Sequence, residues 1–101
     1  GGPPPFPKIP GNWAHAEINV KIKRQPHTLI LDRGRIVQAS ATELTLRELG
    51  TSTAPIPLDG STIIVFGRRK IGPNQLRRGL YAETMRIDGG AAVRVRVTLR
   101  P

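Results

Sequence analysis

The chain has 101 residues, of which 38% are hydrophobic, so it can form one modest core in a single domain. The absence of cysteine excludes disulfide bridges and thiolate zinc sites, and no apolar run is long enough for a transmembrane helix. The formal net charge of +9 favours an anionic partner such as nucleic acid, anionic lipid, acidic polysaccharide or acidic protein, although charge also serves solubility. The chain begins with Gly1 and has no signal-peptide pattern, so we expect a processed or trimmed chain.

Residues 1–13 predict a proline-rich linker or tail, and residues 14–101 predict the folded domain. Prolines recur throughout the first ten residues, and each proline fixes φ and removes a backbone donor. Such a segment favours polyproline II and cannot join a sheet ladder. Two interpretations stay open: an extended tether, or a segment whose Phe6 and Ile9 dock on the domain or on a proline-reading partner.

Alternation of apolar and polar residues predicts the first strand at residues 17–23. Lys21 and Lys23 give this strand a basic outer face. Pro26 is expected to interrupt the chain before a second apolar run at residues 28–31.

The middle of the chain predicts a series of short strands separated by turn residues. Residues 32–34, with the sequence Asp-Arg-Gly, indicate a turn or bulge, and a strand follows from Ile36. Alternating leucines predict the next strand at residues 44–49. Residues 50–57 predict a loop that leads into a short edge strand, and residues 61–66 a strand buried on both faces.

Residues 72–79 predict a single helical turn, with Pro73 at its first position, Gly79 as its stop and Leu76 entering the core. A further strand is expected at residues 80–87.

An Asp-Gly-Gly hairpin signal follows at residues 88–90. Valines then alternate with arginines over residues 93–99, which is the clearest strand pattern in the chain.

These elements predict an all-β domain. The expected architecture is a small OB-like barrel of about five or six strands with one short helical turn, preceded by the proline-rich tail. A two-sheet sandwich is the alternative, because the number of strands does not separate the two architectures.

Turn glycines and short apolar strands form a familiar pattern in four parts of the domain, at residues 14–17, 31–40 with 43–48, 74–79 and 88–90. Together they resemble a bacterial domain family of unknown function, found mostly in exported and envelope-associated proteins. The resemblance covers about residues 14–99. It implies an OB-like barrel, a secreted or cell-envelope location and no catalytic residue. The chain departs from the family pattern in its many arginines and in Asn74, where an aspartate-like residue is common.

The chain offers little material for catalysis, so we expect neither enzyme activity nor a cofactor. It has two histidines, no Gly-x-Ser-x-Gly elbow and no phosphate-binding loop, and its seven acidic residues are scattered. No metal site is predicted. A minor hypothesis is a metal-binding module using His15 and Glu17, which share a strand face but show no third ligand nearby in the sequence.

Clustered basic residues are the remaining functional signal. We expect a polyanion-binding surface formed by these residues and one stacking aromatic, namely Arg68, Arg69, Lys70, Arg77, Arg78, Arg94, Arg96 and Tyr81. The alternative for Arg94, Arg96 and Arg100 is that their stems cover apolar surface and their charges protect an edge strand from aggregation.

Two functional hypotheses rest on these observations. The first is a non-catalytic interaction or structural module of an exported bacterial protein, as the resemblance implies. The second is an OB-fold domain that binds nucleic acid or another polyanion, as the net charge and the arginine clusters indicate. The second hypothesis differs from the first in requiring an anionic partner: nucleic acid, polysaccharide or acidic protein.

Overall fold

A computed structural model describes residues 2–50 and 52–100 of the chain. This part of the chain is all-β, as predicted, and its only helical element is a 3-10 turn at Pro73–Gln75. The strands are β1 (His15–Ile22), β2 (Gln25–Ala39), β3 (Glu43–Glu48), β4 (Thr53–Pro57), β5 (Ile63–Phe66), β6 (Arg69–Lys70), β7 (Tyr81–Ile87) and β8 (Ala92–Thr98). No helix within the described residues has the length and hydropathy that a membrane span requires.

All eight strands of the described chain belong to one sheet, which is more than the five or six expected. The order along the sheet is β4-β3-β2-β7-β8-β5-β6, and β1 pairs with a further stretch of β2. Every pair is antiparallel except β5 with β8. Within the described residues β4 does not pair with β5 or β6 at the other end, so the sheet is not closed and the predicted barrel is present only in a loose sense.

The longest strand, β2, connects the two halves of the sheet. One edge of β2 pairs first with β1 and then with β3, while the opposite edge pairs with β7. Pro26 is part of this strand rather than an interruption. At that position β2 pairs with β1 alone, so its other edge needs no N–H donor from the proline.

The turn or bulge predicted at residues 32–34 is wrong, because these residues lie in the middle of β2. Gly34 instead allows a close contact between β2 and β3. A Cβ atom on Gly34 would lie 2.3 Å from the backbone oxygen of Arg47 in β3. Glycine at this position therefore allows two backbones to approach, which is a recognised use of glycine inside a strand.

The core consists of a large cluster and a small one. Side chains alternate along β2, so Leu29 and Leu31 face one side of the sheet while Ile36 faces the other. The large cluster, which we call the inner core, contains Ile36, Leu44, Leu46, Ile56, Leu58, Ile64, Leu76, Ala82, Ala92, Val95 and Val97. The small one, the outer cluster, contains Leu29, Leu31 and Met85, against which the apolar residues of β1 pack.

The 3-10 turn confirms part of the helical prediction. Pro73 begins the turn, and Leu76 is buried in the inner core. The turn ends at Gln75, however, so Gly79 is not its stop. Gly79 has a φ of +91° and donates its N–H to the carbonyl of Ile36, which turns the chain into β7.

The proline-rich segment lies on the outer cluster. Phe6, Ile9 and Trp13 pack against its apolar residues. The guanidinium of Arg94 donates one hydrogen bond to the carbonyl of Pro4 and another to that of Pro3, each 2.8 Å long. In the structure this segment therefore covers part of the outer face of the sheet.

Candidate functional site

Two arginines and a tyrosine form a row across three adjacent strands. Arg35 in β2 lies directly opposite Arg47 in β3 on one side and Tyr81 in β7 on the other. Directly opposite residues project from the same face of an antiparallel pair, so the three side chains are neighbours. The guanidinium of Arg35 donates to the hydroxyl of Tyr81 at 2.9 Å and lies 4.8 Å from the ring centroid.

The facing arginines leave positive charge without an acidic partner. Both Arg35 and Arg47 are exposed, and neither forms a salt bridge within residues 2–50 and 52–100. Like charges directly opposite each other destabilise a strand pair. An anion bound between the two guanidinium groups would remove this repulsion.

The row opens onto a cleft with a second arginine–aromatic pair. The guanidinium of Arg33 lies 4.9 Å from the centroid of the Trp13 ring. The cleft has a volume of about 470 Å³. Its wall also includes Arg35, Arg47 and Tyr81, so three arginines and two aromatic rings surround it. We call this feature the arginine cleft.

The sequence analysis missed the three arginines of the cleft. Arg33 falls in the turn that was predicted wrongly, and Arg35 and Arg47 belong to strands whose pairing was unknown. Only the period-two alternation, which places Arg33 and Arg35 on one face of a continuous β2, could have indicated the first two.

Of the predicted polyanion-binding residues, only Tyr81 lines the arginine cleft. The other members are exposed on or near the β5–β6 turn and the 3-10 turn, or lie on β8. The exposed residues are Arg68, Arg69, Lys70, Arg77 and Arg78.

The two arginines of β8 make contacts inside the molecule. Arg94 binds the proline carbonyls, as described above. Arg96 forms a 2.6 Å salt bridge with Glu83 and lies over the ring of Phe6. Their guanidinium groups are thus already occupied by the domain and its proline-rich segment.

A second polar cluster lies beside the cleft, where β1, β2 and β3 meet. His15 Nδ1 lies 2.7 Å from an oxygen of Asp32, and His15 Nε2 lies 3.0 Å from an oxygen of Glu17. Asp32 is buried, with 2% of its surface exposed. Glu48, which also lines the cleft, places Oε2 in a buried position where it has no hydrogen-bond partner.

The electrostatics of this cluster reflect its carboxyl groups. The pKa of Glu48 is raised to about 8, chiefly by burial and then by the hydrogen bond with the Asp32 carboxyl and the charge of Asp32. The pKa of His15 is raised by its hydrogen bond to Asp32 and then by that to Glu17. Glu48 therefore keeps its proton to a higher pH than an ordinary carboxyl does, and His15 keeps its proton to a higher pH than an ordinary imidazole.

No protein-family model, curated protein or solved structure matches this chain. The resemblance to an exported bacterial family stays a prediction.

Proposed function

We propose that this chain is a non-catalytic binding module and that the arginine cleft receives an anionic ligand. The observation that carries the proposal is the pair of Arg35 and Arg47, which face each other across β2 and β3 without an acidic partner among the described residues. A fold that places two like charges opposite each other loses stability, and a bound anion restores it.

The aromatic rings favour single-stranded nucleic acid over other polyanions. An arginine guanidinium lies over the ring of Trp13 and another over the ring of Tyr81. The cleft therefore contains flat guanidinium surfaces and flat aromatic surfaces. Nucleobases stack on both kinds of surface, while their phosphates pair with arginine. A sulfated or carboxylated polysaccharide would pair with the arginines of the cleft but has no bases to stack on the two aromatic rings.

The connectivity supports an OB-like arrangement as part of the same proposal. β4 and β5 follow each other along the chain but lie toward opposite ends of the hydrogen-bonded path. The chain between them therefore runs from one end of the sheet to the part near its other end, a connection that a partly open barrel would also need. OB-folds commonly bind oligonucleotides on the barrel surface.

The fluorescence of Trp13 tests this function directly, because it is the only tryptophan and it lines the cleft. We expect single-stranded DNA and RNA to change the Trp13 emission at low salt, and we expect the logarithm of the binding constant to fall linearly with the logarithm of the salt concentration. Heparin serves as a polyanion without bases and is expected to bind more weakly. Emission that stays unchanged with all three polymers would contradict the proposal.

We also propose that the module belongs to an exported bacterial protein, for which the resemblance is the support. The sequence of the precursor tests this location. A secretory signal peptide upstream of the domain would agree with it, and a cytoplasmic full-length protein would contradict it.

A further inference from the structure

We propose that His15, Asp32 and Glu48 bind a divalent transition-metal ion, with Zn²⁺ as the best fit. We refer to these three residues as the metal triad. This site differs in chemistry from the arginine cleft, because it attracts a cation, and of its three side chains only Glu48 also lines the cleft.

Three neighbouring strands bring the metal triad together. His15 in β1 is directly opposite Asp32 in β2, and Glu48 in β3 is opposite Gly34, two residues further along β2. One donor atom from each side chain lies within 4.8 Å of the others. Because the backbone ladders with β1 and β3, which follow each other along one edge of β2, hold these positions, the ligand atoms converge without any loop having to order.

The buried oxygens of the triad need a positive partner. Asp32 is buried, and Glu48 Oε2 is a buried oxygen without a hydrogen-bond partner. Leaving such an atom unpaired costs roughly 1–3 kcal/mol. A metal ion between the two carboxyl groups would bind this oxygen and allow both groups to be ionised side by side.

Glu17 completes the arrangement as an outer partner. It accepts a hydrogen bond at 3.0 Å from the Nε2 atom of His15, which leaves Nδ1 facing Asp32. A metal-binding histidine characteristically donates its second nitrogen to a carboxylate, which fixes the tautomer and orients the ring. Glu17 therefore is a positioning residue and not a ligand.

Small side-chain movements would bring the donor atoms, which lie within 4.8 Å of one another, to the spacing that the ion requires. His15 Nδ1 and Asp32 Oδ1 are 2.7 Å apart, which is a hydrogen-bond length. Tetrahedral Zn²⁺ with bonds of about 2.0–2.1 Å requires roughly 3.3 Å between its ligand atoms. The side chain of His15 is 45% exposed, so its ring can move outward by the difference between the observed and the required distance.

The donor set selects the class of metal. An imidazole nitrogen with two carboxylates suits Zn²⁺ and neighbouring transition metals, whereas Ca²⁺ and Mg²⁺ prefer oxygen ligands alone. Three protein ligands leave a fourth position for water, as in other open zinc sites.

Calorimetric titration of the metal-free full chain with Zn²⁺ tests the proposal. We expect one ion per chain, and we expect the histidine NMR signals of His15 to shift while those of His27 do not. His27 is the matched control, because it also contacts a carboxylate, that of Asp88, but has no third ligand among the described residues.

Variants at exposed positions keep the test independent of folding. His15→Gln should lower the Zn²⁺ affinity at least about tenfold, and Glu17→Gln should lower it roughly 10- to 100-fold, which is the usual effect of losing an outer partner. His27→Gln should retain the affinity of the natural chain. The proposal is overturned if the natural chain binds no Zn²⁺, or if His27→Gln loses as much affinity as His15→Gln.

Discussion

Gly34 lies where the backbones of β2 and β3 are in close contact, and the space beside its Cα has no room for the Cβ of another residue. In Gly34→Ala the new methyl group would lie 2.3 Å from the Arg47 backbone oxygen and 2.8 Å from its carbonyl carbon. Backbone atoms cannot rotate away, so we expect the free energy of unfolding to fall by at least about 2 kcal/mol in urea titrations.

Gly60→Ala is the matched control for this substitution. Its Cβ would meet no atom within 4 Å, and Gly60 does not have a positive φ. We expect its free energy of unfolding to change by less than about 0.5 kcal/mol. Equal stability of the two alanine variants would show that the strands do not need a glycine at position 34.

Asp88 stabilises the β7–β8 turn through its charge. It has a φ of 54°, accepts the N–H of Thr28 at 2.8 Å and contacts the ring of His27. The Thr28 hydrogen bond, followed by that of His27, lowers the pKa of Asp88. A carboxyl whose pKa is lower in the folded state adds stability above its ordinary pKa of about 3.9 and loses it as the pH falls through the lower folded value.

Asp88→Asn isolates this contribution, since asparagine tolerates a positive φ and can still accept the Thr28 hydrogen bond. We expect the Tm of the natural chain to fall more steeply than that of the variant between pH roughly 5 and 2. Thermal unfolding followed by circular dichroism across this range measures the difference. Parallel Tm curves would rule out a role for the charge.

At the scale of elements, the alternating patterns were enough to predict β1 and β8, and the Asp-Gly-Gly signal predicted the turn between β7 and β8. The course of β2 was not predictable in the same way. Pro26 and the Asp-Arg-Gly sequence have the local composition of a break, but the pairing of β2 with three other strands keeps it extended. Tertiary pairing thus overrides local propensity in this strand.

The contact of the proline-rich segment with β8 depends on the planar fork of Arg94. Lysine carries the same charge but cannot donate two fixed hydrogen bonds to the carbonyls of Pro3 and Pro4. Arg94→Lys should therefore lower the free energy of unfolding by about 1–2 kcal/mol. Arg100→Lys, at an exposed position, should change it by less than about 0.5 kcal/mol, and equal values would show that the segment adds no stability through this contact.

At the scale of the whole molecule, the excess of basic residues is visible in the sequence, whereas their arrangement is not. The sequence correctly identifies a chain with a net charge of +9. Which arginines converge depends on the register of β2 against β3, and that register is specified by packing across strands. For the same reason Asp32 and Glu48, far apart along the chain, could not be assigned to one cluster with His15.

The most direct test of the account separates the arginine cleft from the remainder of the positive charge. Two double variants, Arg35→Ala with Arg47→Ala and Arg77→Ala with Arg78→Ala, each remove two charges from exposed positions. The measurement is fluorescence anisotropy of labelled single-stranded DNA at low and near-physiological salt. We expect the cleft variant to lose at least about tenfold in affinity, while the control variant loses much less. We also expect the slope of the logarithm of the binding constant against the logarithm of the salt concentration to become shallower by about 1–1.5 in the cleft variant. Equal losses in the two variants would show that binding follows net charge alone and would contradict a ligand site in the cleft.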